Sequence, residues 1–340
     1  MTQAEWNDMY GKEQKTDAYE ERTITIDKDT VAICMATYNG ERFLREQIDS
    51  ILAQSWKNWI LFIRDDGSGD QTPELLRAYA ASYPERIVLI DEPELKGGSA
   101  KKNFALILNW VKARYDFGYF MFSDQDDVWL EHKITVCMKR MKREEAKQEG
   151  PVLIHTDLKV VDQELNLLGE SFFAYRALDV KKKDLRHLLV QNNLTGCTML
   201  WNRRFNEWLD LENDAIAMHD WWMALAASSF GRIVCIRQPT ILYRQHGDNV
   251  VGATRVNTLS FILKRLAGNA HVKEVFQMSV VQARFFLKTY RKQLSKEQIK
   301  QLEAFTDITN HRKPVRLWIV LKGGYWKQGI VQIIGELLFL

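Results

Sequence analysis

The stretch Tyr119-Phe120-Met121-Phe122-Ser123-Asp124-Gln125-Asp126-Asp127-Val128-Trp129 joins an apolar, aromatic run to three carboxylates within four residues. A run of that composition reads as a buried strand. It delivers the acids to the strand's carboxyl end, the edge at which open α/β sheets bind ligands. Three like charges there repel one another unless a cation or hydrogen-bond donors offset them. A solvated acidic turn is the plain alternative. The strand in front of the cluster, and the partners found elsewhere in the chain, favour a site.

Working outward gives a strand–helix rhythm. Val31 to Ala36 reads as a buried strand, Thr37-Tyr38-Asn39-Gly40 turns the chain, and Leu44, Ile48, Ile51 and Leu52 share one helical face. Trp59 to Arg64 is a second strand, ended by Asp65-Asp66-Gly67-Ser68. Thr72-Pro73 then opens a helix, with Thr as N-cap and Pro in the tolerated first turn. Arg86 to Ile90 is a third strand, and Lys96-Gly97-Gly98-Ser99 leads into a helix with Phe104, Ile107, Leu108 and Val111 on one face. After the acidic cluster, Ile134, Cys137, Met138 and Met141 again fall at helical spacing. Four such units predict a doubly wound α/β fold, a right-handed and mostly parallel sheet with helices on both faces.

From Pro151 the pattern is mixed, as though built onto the edge of the first sheet. Val152 to Val161 is strand-like, Leu167-Leu168-Gly169 closes a hairpin, and Asp184 to Val190 is helical. Asn192 to Cys197 is a polar turn before a short strand, Thr198 to Trp201. Met218 to Ser228 reads as a helix, followed by strands at Arg232 to Ile236 and Ile241 to Arg244. The chain thus divides into a polar lead-in (1–29), a core of 30–255 with halves 30–150 and 151–255, and a basic helical region (256–340).

The composition is that of a globular protein: 340 residues, 46% apolar and 27% charged, with net charge +3. The charge is unevenly spread. From Val251 to Leu340 there are 15 Lys+Arg against 5 Asp+Glu, a surplus of ten, so the first 250 residues carry −7 of the total. A basic tail on an acidic body implies an anionic partner. Cys34, Cys137, Cys197 and Cys235 form no CxxC pair, which fits a reducing cytoplasm and gives no paired cluster for structural zinc. The N-terminus mixes acids, bases and aromatics, unlike a secretory signal, and no apolar run is long enough for a transmembrane helix. Ile330, Ile333, Ile334, Leu337 and Leu338 make a helical stripe behind Arg312, Lys313, Arg316, Lys322 and Lys327, with Trp318, Tyr325 and Trp326 nearby. Such a segment suits an interfacial membrane helix; packing on the domain or on a second subunit is the alternative. No nucleic-acid motif appears.

The chemistry-bearing loops lie after the strands of the parallel sheet. Thr37-Tyr38-Asn39 and Asp65-Asp66 can line one crevice, where a carboxylate accepts from ribose hydroxyls or a base N–H. Neither a GxGxxG after the first strand nor a GxxxxGK[ST] occurs, which argues against a dinucleotide enzyme and a P-loop NTPase. A diphosphate bound here needs a divalent cation, and hard Mg²⁺ or Mn²⁺ takes carboxylate oxygens such as Asp124-x-Asp126.

Taken in order, Ala36-Thr37-Tyr38-Asn39-Gly40, Asp65-Asp66-Gly67-Ser68 and Asp124-Gln125-Asp126-Asp127 resemble the GT-A glycosyltransferases of family 2. Met218-His219-Asp220-Trp221-Trp222 and Tyr243-Arg244-Gln245-His246-Gly247-Asp248-Asn249 are similar to the bacterial rhamnosyltransferase-type branch. The resemblance spans roughly residues 30–255 and implies a GT-A fold with a C-terminal helical extension. It also implies a nucleotide-sugar donor (dTDP-L-rhamnose or a UDP-sugar), Mn²⁺ or Mg²⁺, and an inverting single displacement onto a saccharide acceptor, lipid-linked in cell-wall polysaccharide assembly. By the same resemblance Thr37, Tyr38, Asn39 and Asp65 hold the nucleoside, while Asn103 and Arg244 touch the donor. Lys101-Lys102 departs from the family's usual Arg. Asp126 ligates the metal directly, Asp124 helps through water or the sugar, Asp127 caps the next segment, and His246 approaches metal or diphosphate. Asp220 is the general base, and Trp129, Asn193, Thr195, Trp221 and Trp222 face the acceptor. A nucleotidyltransferase, which lacks its basic Gly-rich triphosphate loop here, and a non-catalytic sugar-nucleotide-binding scaffold are the competing classes.

Overall fold

The protein, analysed as a computed structural model, is described over residues 24–92, 97–247 and 270–339. Most of the lead-in, Lys96, Asp248-Asn249 and the boundary expected at 255/256 lie outside the described residues. The first half alternates as the sequence implies: β1 (Val31–Thr37), α1 (Leu44–Leu52), β2 (Trp59–Asp65), α2 (Thr72–Ser82), β3 (Ile87–Leu89), α3 (Ala100–Arg114) and β4 (Tyr119–Ser123). These strands run parallel in the order β3-β2-β1-β4. Period-two alternation sends β1 side chains to both faces. Val31, Ile33 and Met35 join Leu44, Ile48 and Ile51 on one side, and Ala32, Cys34 and Ala36 join Ile107 and Leu108 on the other. Burial on both faces is why β1 reads as a continuous apolar run.

The second half adds β5 (Val128–Trp129), α4 (Lys133–Lys147), β6 (Val152–Val161), β7 (Leu167–Gly169), α5 (Phe172–Tyr175), α6 (Leu185–Val190), β8 (Leu200–Asn202), α7 (His219–Phe230) and β9 (Arg232–Arg244). β8 pairs antiparallel with β4 and extends the sheet to β3-β2-β1-β4-β8-β6-β9-β5, with β7 on β6. The mixed half is therefore built on the edge of the parallel one. The two strands expected at 232–236 and 241–244 are one strand, β9, which runs parallel to β6. Its register shifts where Asp157 meets Pro239. Pro239 and the polar residues before it hide the continuity from the sequence, and a proline is accommodated at such an irregularity.

Four more helices follow among the described residues: α8 (Ala270–Tyr290), α9 (Lys296–Asp307), α10 (Lys313–Gly323) and α11 (Ile330–Phe339). α8, α9 and α10 share a core with α6 and α7. Trp222, fully buried in α7, meets the rings of Phe285, Phe286 and Tyr290 at 5.4, 5.0 and 5.9 Å between centroids. Tyr290 donates its hydroxyl to Trp208 O (2.9 Å), and Gln298 Nε2 donates to Ser229 O (3.0 Å). The basic helical region is thus packed on the sheet's helical layer, as the second of its two sequence readings has it. Tyr325 is buried, and Gln332 and Glu336 turn one side of α11 inward. Trp222→Ala should remove about 3–5 kcal/mol of stability, as for other buried tryptophans. Urea unfolding would measure this, and a change below about 1 kcal/mol would mean that the helices do not rest on this ring.

Candidate active site

β1, β2 and β4 end side by side, with Thr37 in register with Asp65 and Met35 with Ser123. The loops leaving β1 and β2 are laced together. Thr37 Oγ1 donates to Asp65 Oδ1 (2.9 Å), and Ser68 supplies both its hydroxyl (2.6 Å) and its N–H (2.8 Å) to the same carboxylate. Asn39 adopts φ +47°, a left-handed turn that Asn tolerates. Its N–H donates to Ser68 Oγ (2.7 Å), and its side-chain oxygen accepts from Gly69 N–H (2.9 Å). Tyr38 is left exposed at the rim. Asp66 is a structural residue: it accepts from Arg64 and from the N–H groups of Gly97 and Gly98, tying a third loop to this edge.

The acidic cluster leaves the end of β4. Gln125 clamps Tyr38 at two points, accepting its N–H (2.8 Å) and donating to its carbonyl (2.9 Å). Gly40 makes room for this clamp, since a Cβ there would stand 2.4 Å from Gln125 Oε1. Asp126 Oδ2 lies 2.7 Å from His246 Nε2, and Phe43 flanks the imidazole at 4.9 Å. Asp127 points inward. It is buried, accepts Arg244 N–H at Oδ1 (3.1 Å), and has no hydrogen-bond partner at Oδ2 among the described residues. It is not a cap, as expected from sequence, but the floor of the site. Donor atoms of Asp124, Asp127 and Cys197 lie within 4.8 Å of one another.

Electrostatics sharpen the picture. Burial pushes Asp124 up to about 7, and the neighbouring Asp126 and Asp220 add to the shift. Burial, then Asp126 and Asp124, hold Asp127 well above the usual carboxylate range. Below it Lys133 is buried, its Nζ 4.6 Å over the Trp129 ring and without a hydrogen-bond partner among the described residues. Burial lowers its pKa, opposed by its neighbours Cys137 and Cys197 and, least of the three, by Asp127. Asp220 opens α7 on the far side of the cluster. Burial raises it to about 7, against the opposing effect of N–H groups from Trp221 and Gly196 and the Asn192 side chain.

The sheet edge therefore brings together Thr37, Tyr38, Asn39, Asp65, Asp124, Asp126, His246 and Asp220, with Thr195 next to the Gly196 N–H. Other sequence assignments need correction. Asn103 is buried and its amide is engaged with Arg64 and the Thr37 carbonyl. Arg244 is buried over Phe43, donating to the carbonyls of Asp126 and Gln163 and to Glu46. It shapes the Asp126 loop from beneath. Trp129 lies in the core under Lys133. Trp221 is buried with its Nε1 donated to Leu188 O (2.6 Å), and Trp222 belongs to the helical core. Asn193 is buried, donating to the carbonyls of Asp179 and Lys182. Aromatic and amide residues next to a motif look like ligand groups in sequence, but burial decides otherwise. Sequence reasoning missed Gln125, Glu46, Asn192 and Lys133; only the Gly40–Gln125 fit could have pointed to one of them, and it joins loops far apart in the chain.

Possible metal ligands stand here in two groups, Asp124 and Asp127 with the Cys197 thiol, and Asp126 beside His246; their carboxylate oxygens suit a hard divalent cation, for which a thiol is a poor ligand. The protein is 30% identical over 234 residues to a dTDP-rhamnosyl transferase, RfbG, of Shigella flexneri, covering 64% of this chain and 74% of RfbG. It is 32% identical over 117 residues to a UDP-Glc:alpha-D-GlcNAc-diphosphoundecaprenol beta-1,3-glucosyltransferase, WfgD, of Escherichia coli, covering 34% of this chain and 42% of WfgD. The crystal structure of S. aureus TarS 1-349 in complex with UDP-GlcNAc shares the fold, with TM-score 0.52 and 13% identity over 86% of this chain and 80% of that one. The model of glycosyl transferase family 2 matches residues 32–206, half of the chain, and the chain belongs to that family.

Proposed function

We propose that the protein is an inverting, divalent-metal-dependent glycosyltransferase that moves L-rhamnose from dTDP-L-rhamnose onto a lipid-linked saccharide in the assembly of a cell-wall polysaccharide. The observation that carries the reaction class is the convergence of Asp124, Asp126 and Asp220 beside the laced β1 and β2 loops. The similarity to RfbG supports the donor. WfgD, named for a UDP-sugar and a diphosphoundecaprenol acceptor, supports a lipid-linked acceptor and makes a UDP-sugar the competing donor.

In this reading Asp65 accepts from the nucleoside, and Tyr38 offers a face for the base to stack on. Asp126 would hold the cation, with Asp124 and His246 beside it; a bound Mn²⁺ or Mg²⁺ supplies Lewis-acid stabilisation of the departing diphosphate. Asp220 takes the proton of the acceptor hydroxyl as the new glycosidic bond forms. Its position near pH 7 suits a base that must be ionised yet basic. Gly196 N–H, Trp221 N–H and Asn192 aim its carboxylate.

Four outcomes check the proposal. Thermal-shift titration with dTDP-L-rhamnose, UDP-glucose and UDP-N-acetylglucosamine plus Mn²⁺ should single out the first, because a ligand of the native state raises its stability; a preference for a UDP-sugar would overturn the donor. Asp126→Ala should lose metal-dependent donor binding, and an unchanged Mn²⁺ effect would move the cation elsewhere. Asp220→Asn should bind donor normally but transfer about 10²–10⁴-fold more slowly; a near-normal rate would assign the base to another group. The wild-type kcat/KM should rise with pH through about 7 as Asp220 ionises. The same group has a linkage signature in the metal-free protein. Its folded pKa lies above its unfolded one, so the native state holds the extra proton and stability falls as pH rises from about 4 to 7. The buried His155 and His219, both lowered to about 3, act in the opposite direction, so the expected readout is the difference: the melting temperature of Asp220→Asn relative to wild type should rise across that window.

A further inference from the structure

Among the described side chains of the C-terminal helices, α10 exposes three large apolar residues, against two on α8 and one on α11. Val315, Trp318 and Leu321 are 42%, 57% and 56% exposed, and all lie on one side of the helix with Pro314. Side chains of that size at such exposure form a contiguous face, unlike the scattered single apolar residues of an ordinary surface. The opposite side is anchored. Val320 is buried, and Arg316 donates to the carbonyls of His311 (2.6 Å) and Thr309 (3.2 Å). The helix is therefore held with its apolar side outward.

Charge identifies the occupant. Exposed Arg312 and Lys313 flank one end of the face and Lys322 the other, its Nζ 4.5 Å over the Trp318 ring. No Asp or Glu occurs from Ile308 to Gly335, and the acid just before that run, Asp307, is already held by Asn310 and His311. An apolar strip with a Trp, rimmed by cations, matches an interface where acyl chains meet anionic headgroups. A second copy fits less well. A two-fold contact would set this face against itself, bringing the cations at the rim of one copy towards those of the other.

We propose that the α10 face, Pro314, Val315, Trp318 and Leu321 with Arg312, Lys313 and Lys322 at its rim, docks the protein on an anionic membrane surface. This is independent of which sugar is transferred, and it gives the acidic catalytic half a basic foot. The experiment uses the full chain, sedimented with vesicles of phosphatidylcholine alone or mixed equally with phosphatidylglycerol. Binding is expected only to the anionic vesicles and should weaken with added salt. Lys313→Glu with Lys322→Glu should weaken it by about fivefold or more per charge removed. Trp318→Glu with Leu321→Glu should abolish it, while Ile334→Glu, on the exposed side of α11, should bind normally. Melting temperature and the donor-induced thermal shift, measured on each variant, separate loss of docking from loss of fold or failure of the donor site. Full retention of binding by the Trp318/Leu321 variant, or its loss in Ile334→Glu alone, would overturn the assignment. So would a dimer by light scattering that the Trp318/Leu321 variant dissolves, which would make the occupant a second copy.

Discussion

Crowding of carboxylates at one end of a buried sheet is the constraint around which the molecule is built. Asp124, Asp126, Asp127 and Asp220 act on one another in a partly dry environment, where like charges cannot all ionise without compensation. The chain compensates from several directions. Asp127, the most deeply set, receives the Arg244 N–H from the end of β9 and stands above the buried Lys133 at the start of α4. Asp126 is met by His246, and Asp220 by N–H groups from two segments. Removing one partner from such a buried set leaves an uncompensated charge, which costs far more than the pair contributes. In the proposed function a cation held by the outer acids would relieve the same repulsion.

This constraint explains why the second half of the chain is attached where it is. β4 ends in the acids, and its free edge takes β8, which carries the sheet on to β6 and β9. β5, only Val128–Trp129, then pairs back onto β9, with Val128 opposite Leu242 and Trp129 opposite Ile241. That short pairing fixes the acidic loop against the strand whose end provides Arg244 and His246. Arg244 sits under the loop with its guanidinium spent on Asp126, Gln163 and Glu46, so it acts on the site through the backbone. A positive side chain beside a diphosphate motif invites assignment as a ligand. Here burial makes it a strut.

The parallel half was legible because both faces of β1, β2 and β4 are buried, which writes an uninterrupted apolar signature, and because α1, α3 and α4 carry clear helical faces. The acids were legible as a cluster because they come directly after such a strand. What escaped is whatever depends on contacts between distant segments. Gln125 clamps Tyr38 across 87 positions, and Asp127 meets Arg244 across 117. No local period encodes either. The tryptophans misled for a related reason: Trp221 and Trp222 come immediately after the proposed base, yet a helix turns successive side chains about 100° apart, so neighbours in sequence face different surroundings. Asp220 looks to the site, whereas Trp222 looks to α8.

That divergence along one helix turn has a mechanical consequence. α7 presents Asp220 at its first turn, where the helix dipole favours a carboxylate even as burial opposes its charge. Within the same turn Trp222 is locked among Phe285, Phe286 and Tyr290 of the C-terminal region. Ala217 N–H, just before the helix, donates to Gln282 Oε1 (3.0 Å). The helix carrying Asp220, the proposed base, is thus seated on α8 rather than on the sheet alone, and the basic C-terminal helices do more than extend the chain. They set the position of Asp220 relative to the acids held by β4 and β9. Acids fixed by the sheet and Asp220 fixed by the helical layer meet at one edge, and packing between the two layers determines the gap between them.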